Sequence, residues 1–163
     1  MQANNENNAG DQENRRYLIF SLGSELYASP LEMVREVLKN TDVKEVPYMK
    51  SYFRGVINVR GQIISVVDLR EKFGVKKNEP SNNMLLVVER EGQYLAAVVD
   101  EVVAVGALME SDIERKPALS TKIPVDFFLG IGKWNDRLLN LIDVAGSLSA
   151  EDFSTIQRTK EAV

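Results

Sequence analysis

Neither cysteine nor histidine occurs among the 163 residues. The first absence excludes disulfides, thiolate metal sites and thiol nucleophiles. The second removes the usual general base near neutral pH and the usual transition-metal ligand. An enzyme would have to run on carboxylates, Lys or Ser, so a non-enzymatic chain is expected, with no cofactor and no metal. Aromatic residues are 7% of the chain, and 20 basic against 24 acidic side chains leave a net charge of −4. A nucleic-acid binder sets cations against phosphate, and this balance does not favour one. No apolar run approaches the ~20 residues of a membrane span. The start, Met1-Gln2-Ala3-Asn4-Asn5-Glu6, lacks the basic and apolar parts of a secretory signal. A cytoplasmic protein is expected.

What is present is globular: 44% apolar and 27% charged residues. Residues 1–14 are mostly Asn, Gln and Glu and are read as a disordered tail. Short runs of Val, Ile, Leu and Tyr follow at 17–22, 26–31, 34–38, 56–59, 63–67, 85–89, 94–99, 102–105 and 138–142. Turn pairs such as Gly23-Ser24, Arg60-Gly61, Glu91-Gly92 and Asn135-Asp136 separate them. Many short strands at this spacing suggest a barrel or sandwich. The run 63–67 is apolar on both faces, as a strand lying between two packed layers should be. Asp68-Leu69-Arg70-Glu71 is a helix-capping pattern with Gly74 as its stop. Residues 149–163 open on a good N-cap and an acidic turn and should form a C-terminal helix and tail.

The chain also repeats itself. Shifted by 75 positions, 53–69 lands on 128–144 without a gap: Phe53 on Phe128, Gly55 on Gly130, Asp68 on Asp143. A looser match, shifted by 67, sets Leu18-Ile19-Phe20 and Tyr27 on Leu85-Leu86-Val87 and Tyr94. Two copies of ~65 residues would each be marginal alone. The expectation is therefore a mainly β fold of two similar small β-barrels or β-sheets packed together, with short helices. Shared residues should serve the fold. The unshared tip, Arg60-Gly61 against Asn135-Asp136, is where one copy can carry a separate task.

The segment Gly55-Val56-Ile57-Asn58-Val59-Arg60-Gly61-Gln62-Ile63-Ile64-Ser65-Val66-Val67-Asp68-Leu69-Arg70 resembles the G-V-x-N-(L/V)-R-G-x-(I/V)-(I/L)-x-(V/I)-(V/I)-D-L-R signature of the CheW family of chemotaxis coupling proteins. The similarity runs from about Arg16 to Phe153. It implies a CheW-like domain over 15–148, made of two packed, intertwined five-stranded β-barrels (SH3-like subdomains). It also implies an adaptor that joins the cytoplasmic tip of transmembrane chemoreceptors to the regulatory domain of the histidine kinase CheA. Such an adaptor is recruited to the inner face of the membrane through the receptors. Carried over by position, Arg60, Glu36 and Gly55 are coupling candidates, and Val34, Val37 and Val102 are receptor-groove candidates. One cation and one anion at matched positions suggest an Arg60–Glu36 pair. With little after the last helix, a stand-alone adaptor is expected.

Two other readings compete with the adaptor. The carboxylates Glu110, Asp112 and Glu114 could suggest a metal or acid–base site, but without histidine a solvated loop face is the better reading. A small barrel binding single-stranded nucleic acid would use aromatics on a basic groove. Tyr48, Tyr52, Phe53, Arg54 and Lys50 cluster suitably, although packing of a turn on the barrel explains them equally.

Overall fold

Runs of β-branched and aromatic residues punctuated by two-residue turns produce strands wherever hairpins can close. The computed structural model describes residues 14–39, 41–47, 49–77, 80–115, 127–147, 152 and 158. In chain order the strands are β1 (Arg15–Leu22), β2 (Glu25–Pro30), β3 (Val34–Leu38), β4 (Phe53–Val59), β5 (Gln62–Asp68), β6 (Met84–Arg90), β7 (Gln93–Val99), β8 (Glu101–Leu108), β9 (Ile113–Glu114), β10 (Phe128–Trp134) and β11 (Arg137–Ile142). One short helix, α1 (Leu69–Phe73), follows β5. Most of the expected tail (1–14) and of the expected C-terminal helix (149–163), and Tyr48, lie outside the described residues. Among the described residues no helix is long and apolar enough to cross a membrane.

The strands form two sheets. One has six strands in the order β8-β1-β2-β11-β10-β9, the other five in the order β3-β6-β7-β5-β4. Neither order returns to its own first strand, so hydrogen bonding among the described residues closes no barrel, contrary to the expected closed cylinders. Side chains complete the curl of the larger sheet. A Cβ on Gly106 of β8 would lie 2.9 Å from the Trp134 indole nitrogen of β10.

The order β3-β6-β7-β5-β4 of the smaller sheet matches β8-β1-β2-β11-β10 of the larger, which adds β9. Hairpin β4–β5 pairs Phe53 with Val67 and Gly55 with Val66 across a bulge; β10–β11 pairs Phe128 with Ile142 and Gly130 with Leu141 across a bulge at the same place, 75 residues on. The other strands superpose at an offset of 68. Val34↔Val88 and Val37↔Leu86 of β3–β6 correspond to Val102↔Phe20 and Val105↔Leu18 of β8–β1. The expected offset of 67 is therefore corrected by one. The reason is physical: a one-residue slip exchanges the two faces of a strand. Leu18 packs in the cluster between the sheets, and so does Leu86, whereas Leu85 packs on the opposite side of its sheet. Strands apolar on both faces carry no alternation to choose between 67 and 68.

Three apolar clusters result. The largest lies between the sheets and includes Phe20, Tyr27, Val67, Leu86, Val99 and Ile142. The others fill the outer concave faces, around Tyr17, Ile19 and Leu139 in one sheet and Ile57, Ile64 and Val87 in the other. Ile64 and Val67 of β5 face different clusters, as its two-sided apolar pattern requires. Asp68 caps α1 by accepting from the Arg70 N–H at 3.0 Å, and Gly74 ends it at φ +66°. Glu71 turns instead to Lys77, 3.0 Å away.

Candidate functional site

Strand β3 forms one edge of its sheet and β8 one edge of the other. Because cross-strand partners share a face, the pairing of Val34 with Val88 and Val37 with Leu86 sets both valines on the inter-sheet side of β3. The pairing of Val102 with Phe20 and Val105 with Leu18 does the same for β8. Val34 and Val102, partly buried, pack against the inter-sheet cluster. Val37 and Val105 stand on the same faces but are 38% and 52% exposed. The two edges thus carry a matched pair of valines each, at the mouth of the core. Val34, Val37 and Val102 are the groove candidates from sequence, and the pairing sets Val105 on the same face as Val102. An offset of 67 sets Ala104 against Val37; the true offset of 68 sets Val105 there.

Glu36 lies between these valines and faces the other way, paired with Val87 of the outer cluster. A bulge at Val34/Glu36 produces this change of face, with Arg35 as the additional residue. Arg60 sits at the tip of β4–β5 with φ +52°, and Gly61 follows at +81°. Two positive φ angles are what a type I′ turn requires. The Gly61 N–H donates to Asn58 Oδ1 at 2.9 Å and holds the turn. From there Arg60 reaches back to Glu36 through two parallel bonds, Nη2 to Oε1 at 2.9 Å and Nη1 to Oε2 at 3.1 Å. The guanidinium is 79% exposed and the carboxylate 26%. Beside them Arg35 donates to Glu89 at 2.6 Å. Arg35, Glu36, Val59, Arg60, Val87 and Tyr94 border an open cleft of about 330 Å³. The structure therefore joins Arg60 to Glu36 and leaves Gly55 apart from them. Gly55 is buried at φ +137°, where an added Cβ would meet the Lys44 carbonyl oxygen at 2.0 Å. It offers a partner no side chain, and its place in the motif is explained by the backbone.

The chemistry of the remaining candidates is local. Asp112 accepts from the Met109 N–H at 3.0 Å, and Glu110 binds Arg115 at 2.8 Å, which holds the Glu110 carboxyl below its usual range. Among the described residues no group of three His, Cys, Asp or Glu side chains could hold a metal ion. The described members of the aromatic cluster, Tyr52 and Phe53, are committed to packing. Tyr52 donates to the buried Asp152, the Lys72 ammonium lies 4.3 Å from its ring centre, and Phe53 is 7% exposed. Base stacking needs a free ring face, and these rings do not present one, which leaves the nucleic-acid alternative unsupported.

A buried charge cluster lies at Arg70, and its contact with Asp100, 30 residues away, has no local sequence signal. Its guanidinium is 2% exposed and binds Asp68 through two bonds of 2.9 Å and Asp100 through one of 2.6 Å. Burial alone would raise the Asp68 pKa. The hydrogen bonds and charge of Arg70, with Lys77 nearby, outweigh it and hold that carboxyl below its usual range. Burial and the Glu25 carboxylate push the Tyr27 hydroxyl well above its ordinary value, so it stays protonated.

Comparison with known proteins places this arrangement. The CheW-like domain family matches residues 16–152. The chemotaxis protein CheW of Klebsiella aerogenes is 28% identical over 155 residues, covering 94% of this chain and 93% of that protein. CheW of Helicobacter pylori is 31% identical over 136 residues, covering 82% and 81%. The crystal structure of the scaffolding protein TtCheW from Thermoanaerobacter tengcongensis superposes with a TM-score of 0.74 at 34% identity, covering 80% of this chain and 90% of that one. With the family's domain spanning nearly all the described strands, the chain belongs to the CheW family.

Proposed function

We propose that this chain, a non-enzymatic chemotaxis adaptor by family, couples the cytoplasmic tip of transmembrane chemoreceptors to the regulatory domain of the histidine kinase CheA. The observation that carries the reading is the division of labour on β3: Val34 and Val37 face the inter-sheet mouth, while Glu36, between them in sequence, faces Arg60. A receptor tip is a helical hairpin whose apolar stripe needs a groove of small branched side chains. Val34 and Val37 on one wall and Val102 and Val105 on the other suit it. The hairpin tip with Arg60 and Glu36 is a polar rim of the kind that sets partner register. It is assigned to kinase coupling. The protein works in the cytoplasm and reaches the inner face of the membrane through the receptors.

The fold behind this function is read as two barrel-like halves from an exchanged duplication, within one domain over 15–148, with 1–14 as a tail and 149–163 as an appended helix. The matched ladders support that reading. In chain order the copies would be β1 to β5 and β6 to β11. The smaller sheet then takes β3, β4 and β5 from the first copy and β6 and β7 from the second, and the larger sheet takes β1 and β2 from the first and β8 to β11 from the second.

The test uses the full chain, a receptor cytoplasmic fragment and CheA. Val37→Asp is expected to weaken receptor binding and spare CheA binding; Arg60→Glu is expected to do the reverse. If Val37→Asp leaves receptor affinity unchanged, or both variants affect the same partner, the assignment of faces is wrong.

A further inference from the structure

Among the described residues the chain crosses from one sheet to the other at two places, each leading into an edge strand that forms a wall of the proposed groove. The first lies between β2 and β3, the second at Asp100 between β7 and β8. They are built differently. Asp100 is 3% exposed; its backbone N–H donates to Ser21 at 3.0 Å, its Oδ2 accepts from the Gly23 N–H at 2.6 Å, and its Oδ1 accepts from Arg70. Arg70 in turn spends its Nε on Asp68, Nη1 on Ser81 and Asp100, and Nη2 on Asp68 and Asn83. A guanidinium has five N–H donors, and every one is engaged. This cluster ties α1, the end of β7, the start of β8 and the β1–β2 turn together two residues before Val102.

The other crossing lacks it. The offset of 68 sets Glu32 at the position of Asp100, and the offset of 75 sets Ala145 at the position of Arg70. Glu32 has a 58% exposed side chain and pairs with Arg15, itself 44% exposed. The 3₁₀ turn Leu31–Met33 that carries it has no buried residue. An exposed pair restrains little, whereas a buried network with every donor engaged holds its members in one geometry.

We propose that Arg70 is a positioning residue for receptor binding: through Asp100 it fixes the first residues of β8, and so holds Val102 and Val105 as the rigid wall of the groove, while the β3 wall adjusts. The proposal rests on the groove reading above. Asp100→Asn keeps the shape but sets an amide N–H₂ against either Arg70 or the Gly23 N–H, so one contact breaks. In the full chain, this variant is expected to lower affinity for a receptor cytoplasmic fragment roughly tenfold, within the usual range for coupled sites. CheA affinity should stay within about twofold, since such distant sites act independently. Hydrogen exchange should speed up at 101–105 and not at 34–38. If receptor and CheA affinity fall together, or receptor affinity is unchanged, positioning is refuted. Should Asp100→Asn fail to fold, Asn83→Ala removes one rim contact of Arg70 and is held to the same outcomes, in smaller measure. Val105→Asp separates the two levels. If it leaves receptor affinity intact, the groove reading itself falls; if it weakens binding while Asp100→Asn does not, only the positioning role falls.

Discussion

Substituting Gly55 by Ala isolates a structural demand inside the family motif. Gly55 has φ +137° and its partner in the second half, Gly130, has φ +141°, a region essentially reserved for glycine. The strain of forcing a side chain there is about 1–3 kcal/mol. At Gly55 the added Cβ would also lie 2.0 Å from the Lys44 carbonyl oxygen and 2.7 Å from its carbon, so the segment bridged at Lys44 has to leave. Lys44 and Val56 exchange two backbone hydrogen bonds of 2.8 Å, and their loss adds about 1 kcal/mol each. Gly55→Ala should therefore cost roughly 3–5 kcal/mol. At Gly130 the new Cβ would be 2.7 Å from the Glu114 carbonyl oxygen and 3.0 Å from Ile113 Cγ2, a gentler conflict, and the cost should be about 2–3 kcal/mol. Urea unfolding of both variants checks the order. A cost at Gly55 below about 1 kcal/mol, or below that at Gly130, refutes the backbone explanation. So does a Gly55→Ala variant of normal stability that fails to bind CheA, because Gly55 would then act at the interface itself.

The exposed Arg60–Glu36 pair should contribute no more than about 1 kcal/mol to stability, so Arg60→Glu and Glu36→Lys should shift the urea midpoint little while each weakens CheA coupling. The double exchange should restore coupling in a kinase assay, and no recovery at all counts against direct pairing as the functional unit. The depressed carboxyl of Asp68 contributes stability that is complete above its unfolded value of about 3.9 and is lost as pH falls through its lower folded value. Unfolding followed from neutral to acid should show this loss, and Asp68→Asn should be less stable near neutrality with a shallower acid slope; an unchanged slope contradicts the assignment. Gly106→Ala would bring a Cβ to 2.8 Å from Ile19 Cδ1 and 2.9 Å from the Trp134 indole nitrogen. Overpacking of this kind costs about 1–3 kcal/mol, and the single tryptophan of the chain should report it as a shifted emission. Unchanged emission and stability would mean that β8 and β10 do not close against each other.

What could be read from sequence followed the strength of local signals. Hairpin β4–β5 was legible because Arg60-Gly61 is a turn pair between two apolar runs. The cap at Asp68 and the stop at Gly74 were legible because both act within a few residues. The offset between halves came out one residue short, since Leu85 and Leu86 are both buried and nothing in their chemistry says which faces inward. That slip hid Val105. The two-residue β9 is too short to carry a pattern. The Arg70–Asp100 contact joins residues 30 apart, and no spacing rule connects a helix arginine to the residue between two strands. Closed barrels were expected because many short strands suggest them, but hydrogen-bonded closure is a property of sheet edges, which strand composition does not encode.

The most direct measurement is reconstitution of the full chain with a receptor cytoplasmic fragment and CheA, reading ternary complex formation and kinase activity together. The adaptor account expects the complex to form only when all three are present, with a change in kinase activity that depends on this chain. Absence of a ternary complex, with kinase activity the same whether or not the chain is added, would contradict it.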